Sequence, residues 1–148
     1  MDELAPAQAK AWGSLLPVIL WLPAAMDGRL KEHGLSHPEF LILWCLYEHR
    51  ERTMSSLAEG SRVTPSHLSR VAARLERAGW LVRKTDPADA RCTIASLTEA
   101  GSRKYVEAVP SYNAVLREHL FDRLSDEQTE QLGSITGLIA GSLDPRTQ

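Results

Sequence analysis

The chain has 148 residues, 43% of them hydrophobic and 24% charged, with a formal net charge of −2. These values suit a single globular domain with a real core, and they exclude a disordered or collagen-like chain; two cysteines, Cys45 and Cys92, are too few for a disulfide framework. No uninterrupted apolar run reaches the roughly 18 residues needed to span a bilayer, and Met1-Asp2-Glu3 with Pro17 and Pro23 downstream is unlike a secretory signal, so a cytoplasmic protein without membrane contact is expected.

The charge is unevenly placed. Residues 1–61 hold five Lys/Arg against eight Asp/Glu, residues 62–91 hold seven against three, and residues 92–148 hold five against eight. A basic segment between two acidic ones is the electrostatic footprint of a polyanion site, although a solvated charged face would give the same pattern.

In chain order, Gln8 to His33 reads as a long helix. It carries Leu15, Leu16, Ile19, Leu20, Leu22 and Leu30, bends at Pro17 and Pro23, and stops at Gly34. Ser36 and Glu39 form a capping box that opens a second helix from about His37 to His49, whose buried face is expected to include Phe40, Leu43, Trp44 and Tyr47 at helical spacing. A short third helix follows Ser55. After the tight connection Gly60-Ser61-Arg62-Val63, Thr64 caps a fourth helix whose first position is Pro65 and whose apolar stripe is Leu68, Val71, Ala72 and Leu75. Gly79 ends it. Trp80 to Val82 and Cys92 to Leu97 read as the two strands of a hairpin around the turn-rich Thr85 to Ala90. Thr98 starts a fifth helix that kinks near Pro110 and runs to about Phe121. Ser125 and Gln128 cap a last helix to about Ser142.

The third and fourth helices form a helix-turn-helix, in which the second helix enters the major groove of DNA. The fourth helix divides its residues accordingly. The apolar stripe faces inward, while Ser66, His67, Ser69, Arg70, Arg74 and Arg77 point elsewhere. Arg can donate two hydrogen bonds to guanine and Ser can serve either kind of base edge. The hydroxyls of Thr64 and Ser66 at the helix start suit a phosphate. Arg83, Lys84 and Arg91 lie on or beside the hairpin arms, and an Arg at a hairpin tip can reach a narrow minor groove. Asp89, two residues before Arg91, can hold it by a charge-assisted hydrogen bond.

No Gly-x-Ser-x-Gly, His-Glu-x-x-His, Cys-x-x-Cys or phosphate-binding Gly-rich loop is present, so no enzyme activity and no cofactor are expected. Glu32, His33 and His37, with His119, form the nearest thing to a metal cluster. Gly34 breaks the helical register they would need, and no metal site is expected.

The run from Met54 to Gly101 resembles the MarR family of transcriptional regulators. The matching pieces are Ser56-Leu57-Ala58, Thr64-Pro65-Ser66-His67-Leu68-Ser69-Arg70, Arg74 to Arg83, Asp86-Pro87-Ala88-Asp89-Ala90-Arg91 and Leu97-Thr98-Glu99-Ala100-Gly101. Gly34-Leu35-Ser36 with Glu39-Phe40 also resembles the family's opening of its second helix. Cys92 departs from the Ala-like residue usual there. The resemblance implies a mainly α fold, a winged helix-turn-helix core at about 35–97 with a two-stranded hairpin wing, and dimerisation helices at about 4–33 and 98–143, together one MarR-type domain over 1–148. It implies a homodimer on a palindromic operator, commonly a repressor, and a pocket for a small apolar or aromatic ligand near Trp21 and Trp44. The alternatives are a redox regulator acting through Cys92, and a winged helix used for protein contacts.

Overall fold

The 25-residue helix α1, Pro6–Leu30, starts with proline at its first position, where the missing N–H costs nothing, and Gln8 returns a side-chain oxygen to the Ala5 N–H at 2.9 Å. It accommodates Pro17 and Pro23 within one helix and passes into a 3-10 turn over Lys31–His33. This computed structural model describes residues 3–144. The chain divides into two units after Tyr112.

In the first unit, α2 (His37–His49) is central, with Phe40, Ile42, Leu43, Cys45 and Leu46 all buried; Trp44 and Tyr47, expected on the buried face, are instead exposed, because the packed face turns toward Ile42 and Cys45. Its capping box is formed as the sequence requires, Ser36 N–H to Glu39 at 2.8 Å and Glu39 N–H to Ser36 at 3.4 Å. Gly34 takes φ 70°, a left-handed conformation that suits glycine at this stop. The short strand β1 (Glu51–Thr53) follows. Then come α3 (Met54–Ser61), α4 (Pro65–Arg77), β2 (Leu81–Thr85), β3 (Thr93–Leu97) and the start of α5 (Glu99–His119). The sheet is antiparallel in the order β1-β3-β2, with Arg52 and Arg83 both opposite Ala95, which is buried.

Several boundaries differ from expectation. β1 was not anticipated: three residues, two of them charged, hold no legible period, and only the β3 edge makes them a strand. Thr53, accepting the Ser56 N–H at 3.2 Å, caps α3, which therefore starts at Met54 and not after Ser55. The strands are Leu81–Thr85 and Thr93–Leu97, so Trp80 and Cys92 lie outside them. In the second unit α5 ends at His119, and a 3-10 turn over Phe121–Arg123 precedes α6 (Asp126–Leu143), capped by Ser125 and Gln128 as expected.

The terminal helices leave apolar side chains in solvent. On α1, Leu15, Leu16, Val18, Ile19, Leu20 and Trp21 are exposed and only Met26 and Leu30 are buried. On α6, Ile135, Leu138, Ile139 and Leu143 are exposed and no described residue is buried. The helical stretch Pro6–His33 is long and apolar enough, by length and composition, to cross a membrane. Counting uninterrupted apolar runs misses this, because the relevant window includes a few polar residues.

Candidate nucleic-acid interface

Helix α4 is fastened from below. Leu68, Val71, Ala72 and Leu75 are buried, which commits the opposite face to solvent. At 100° per residue Arg70 and Arg77 fall nearly in line, two turns apart, with Ser66 one turn before Arg70 and Ser69 about 100° around the helix from it. All four are exposed, and neither arginine has an ion-pair partner among the described residues. Ser69 returns its hydroxyl to the Pro65 carbonyl at 3.3 Å, and His67 is half-buried. Thr64 occupies the cap position with φ −63° and ψ 148°, but its hydroxyl makes no cap bond. That corrects the expectation of a side-chain cap.

Arg74, one turn beyond Arg70, differs from Arg70 and Arg77 in being partnered. It forms an ion pair with Glu39 and donates to the Gly34 carbonyl at 3.2 Å. Its helical position lies toward the buried stripe, where α2 offers a carboxylate, while its side chain stays 53% exposed.

The wing is organised by carboxylates. Asp86 accepts the Ala88 N–H at 2.9 Å. Asp89 accepts the Arg91 N–H at 3.0 Å and takes the Arg91 guanidinium at 3.1 and 3.4 Å. This fork pair is the one the sequence suggested. It holds the Asp89 carboxyl below the usual range, mainly through the Arg91 side chain and then its backbone N–H. The Arg91 side chain is nonetheless 90% exposed. Arg83 and Lys84, the other basic residues on or beside the hairpin arms, are both partnered: Arg83 forks onto Glu76 at 3.0 and 3.4 Å, and Lys84 lies 3.7 Å from Glu51. Cys92 points its thiol toward Asp89, whose charge pushes its pKa up; burial does the same to Cys45.

The two candidate ligand tryptophans separate. Trp21 is 70% exposed on α1. Trp44 donates its indole N–H to Glu48 at 2.8 Å and tilts toward Tyr112 at 6.5 Å between ring centroids. An aromatic cluster that the sequence did not single out surrounds that contact: Phe40 stacks on Tyr112 at 4.2 Å, and Tyr105 lies 5.4 Å from Phe40 and 4.6 Å from Tyr47. Tyrosines 56 and more positions downstream of α2 carry no local signal of this meeting.

The Leu-Thr-x-x-Gly run, singled out as a motif, has a physical basis. Thr98 donates its hydroxyl to the Gly79 carbonyl at 2.6 Å, accepts the Gly101 N–H at 3.0 Å, and donates its own N–H to Trp80 at 3.1 Å. One threonine thus ties the end of α4 to the start of α5. Gly101 lets the two backbones meet, because a Cβ there would lie 2.8 Å from the Trp80 carbonyl carbon.

The comparisons with known proteins agree with this geometry. A family model of the MarR family matches residues 35–93. The chain is 31% identical to the HTH-type transcriptional regulator YkoM of Bacillus subtilis, covering 69% of this chain and 66% of YkoM, just under two thirds of that relative's length. It is 31% identical to the transcriptional repressor MprA of Escherichia coli K12, over 80% of this chain and 68% of MprA. It superposes with a TM-score of 0.92 on Sco3205, a MarR family transcriptional regulator of Streptomyces coelicolor solved in complex with DNA, at 32% identity over 98% of this chain and 92% of that one. Fold, helix-turn-helix and relatives converge on one assignment: this chain belongs to the MarR family of DNA-binding transcriptional regulators and is not an enzyme.

Proposed function

We propose that the protein is a homodimeric repressor that reads a palindromic duplex and releases it on binding a small aromatic ligand. The observation that carries the DNA reading is the line of Ser66, Arg70 and Arg77, unpartnered among the described residues, on a helix otherwise fastened to the core, with an exposed Arg91 at the wing tip. Ser66, His67, Ser69, Arg70 and Arg77 are the residues for base edges, with Thr64 at a phosphate near the helix start. Arg91, oriented by Asp89, suits the minor groove. Arg83 and Lys84 are secondary phosphate contacts, since Glu76 and Glu51 already offset their charge.

Dimerisation is supported by the exposed apolar residues of α1 and α6, where Leu138 is 79% exposed; obligate interfaces are made of such surface. Repression is supported by the likeness to MprA. Trp44, within the Phe40, Tyr105 and Tyr112 cluster, supports an aromatic ligand, and Trp21 is the weaker candidate of the two. The redox alternative is disfavoured because both thiols are shifted away from the thiolate that oxidation needs.

The test is fluorescence anisotropy with duplexes from the DNA flanking the protein's own gene, in matched and mismatched forms. Arg70→Ala is expected to cost about 1–3 kcal/mol and to relax preference at one position. Unchanged affinity and selectivity remove Arg70 from the readers. Sedimentation should give a dimer whose two reading helices suit half-sites roughly 34–36 Å apart.

A further inference from the structure

Arg74 is the one arginine of α4 whose guanidinium is engaged from two directions. One nitrogen pairs with Glu39, a carboxylate only 3% exposed, and another donates to the Gly34 carbonyl at 3.2 Å. The second Glu39 oxygen accepts the Ser36 N–H at 2.8 Å, so the carboxylate is held in place before Arg74 meets it. At 100° per residue Arg74 is turned about 40° from Arg70 toward Val71 and Leu75, while Arg77 stays within about 20° of Arg70. The helix therefore presents Arg70 and Arg77 outward and Arg74 to the α1–α2 turn.

That turn, Gly34-Leu35-Ser36, is itself tied to other helices. Asp27 of α1 accepts the His37 N–H at 2.6 Å. His33 is hydrogen-bonded to Ser111 of α5 at 2.8 Å, and the His37 ring meets the Tyr112 hydroxyl at 3.4 Å. The turn's middle residue, Leu35, is buried. One short segment thus holds α1 and α5 on one side and the reading helix on the other.

We infer that Arg74 is a positioning residue and not a base reader: through Glu39 and Gly34 it latches α4 to the α1–α2 turn, so that the placement of the turn sets the orientation of the reading helix. This rests on the DNA reading above. A buried carboxylate that loses its cation is strongly destabilised, which makes the latch stiff. A base-contacting Arg74 would have to abandon Glu39 to reach DNA, leaving that carboxylate buried and unpaired.

The two roles predict opposite signs for one near-isosteric change. Glu39→Gln removes the charge that holds Arg74 and keeps an acceptor for the Ser36 N–H. Full-length wild type, Glu39→Gln, Arg74→Ala and Arg74→Lys are titrated by anisotropy onto a palindromic duplex from the DNA flanking the gene, across a range of salt. A second set of duplexes has the half-sites moved by one base pair in either direction. The latch predicts that Glu39→Gln and Arg74→Ala each weaken binding at least about fivefold, the low end of losing one base contact, with the slope of log affinity against log salt unchanged. It predicts that Arg74→Lys, which keeps the charge but not the fork, loses as much as Arg74→Ala. It also predicts that the preference for one half-site spacing broadens, whereas a variant that is merely less folded has a smaller active fraction and the same preference. Equal or tighter binding by Glu39→Gln, full retention by Arg74→Lys, or a slope reduced by about one unit in Arg74→Ala overturns the latch and makes Arg74 a DNA contact. A wild type that binds none of these duplexes overturns the operator reading itself, and the latch with it.

Discussion

Gly101→Ala is the substitution whose cost follows most directly from the geometry. The new Cβ would lie 2.8 Å from the Trp80 carbonyl carbon and 3.1 Å from its Cα, and closer still to the carbonyl oxygen. These are backbone atoms, so no side chain can swing away, and the first turn of α5 must back off by roughly 1 Å to restore ordinary contact. Backing off lengthens the Thr98 hydroxyl bond to Gly79, now 2.6 Å, and the Thr98 N–H bond to Trp80, now 3.1 Å. Overpacking costs about 1–3 kcal/mol and each weakened hydrogen bond about 1 kcal/mol, while alanine in a helix returns about 1 kcal/mol. The expected net loss is about 2–4 kcal/mol, or roughly 5–15 °C in melting temperature for a chain of this size. Urea and thermal unfolding at one fixed protein concentration measure it, since the stability of any chain that self-associates depends on concentration. Thr98→Ala, which loses a cap and a hydroxyl bond without a clash, should cost less, about 1–2 kcal/mol. A Gly101→Ala protein as stable as wild type would refute the close-approach argument, because the helix-propensity gain would then be acting unopposed.

Arg91→Ala should weaken binding to every duplex and flatten the salt slope by about one unit or less, as read by anisotropy. Asp89→Ala should also weaken binding, although it removes a negative charge near DNA, because the fork at 3.1 and 3.4 Å orients Arg91; tighter binding would show that Asp89 only repels. Burial lowers the His37 pKa from its usual 6.5, with Asp27 opposing in part. The folded state thus binds that proton less readily than the unfolded one, so the His37 contribution is intact above about pH 6.5 and is lost as pH falls from there through the lowered value. Unfolding midpoints measured from pH 7.5 to 5 should decline in wild type and decline less in His37→Gln; parallel profiles would remove His37 as the source. Leu138→Asp, on an exposed α6 position, should shift sedimentation toward monomer with the helical signal of the isolated chain retained. An unaltered dimer would place the interface elsewhere.

Much of this protein is written locally. The capping boxes at Ser36–Glu39 and Ser125–Gln128 formed at the residues where short-range hydrogen bonding allows them. The stripe Leu68, Val71, Ala72, Leu75 fixed which face of α4 is buried, and thereby which polar residues are free. The Asp89–Arg91 fork needs a spacing of only two residues inside a turn, so it too was legible. Interactions that span long stretches of chain were not. β1 exists because Arg52 meets Ala95 across the sheet, and three residues hold no period of their own. Whether an arginine on α4 is free or engaged depends on what the neighbouring helix offers. Nothing in the spacing of Arg70, Arg74 and Arg77 says that Glu39, 35 positions before Arg74, will take the middle one. Arg83 and Lys84 likewise read as free cations until folding brings Glu76 and Glu51 beside them. Periodicity reports which face of an element is apolar, because that is set by the pitch of the backbone. Only the packed chain decides which charges meet, because that is set by how separate elements cross.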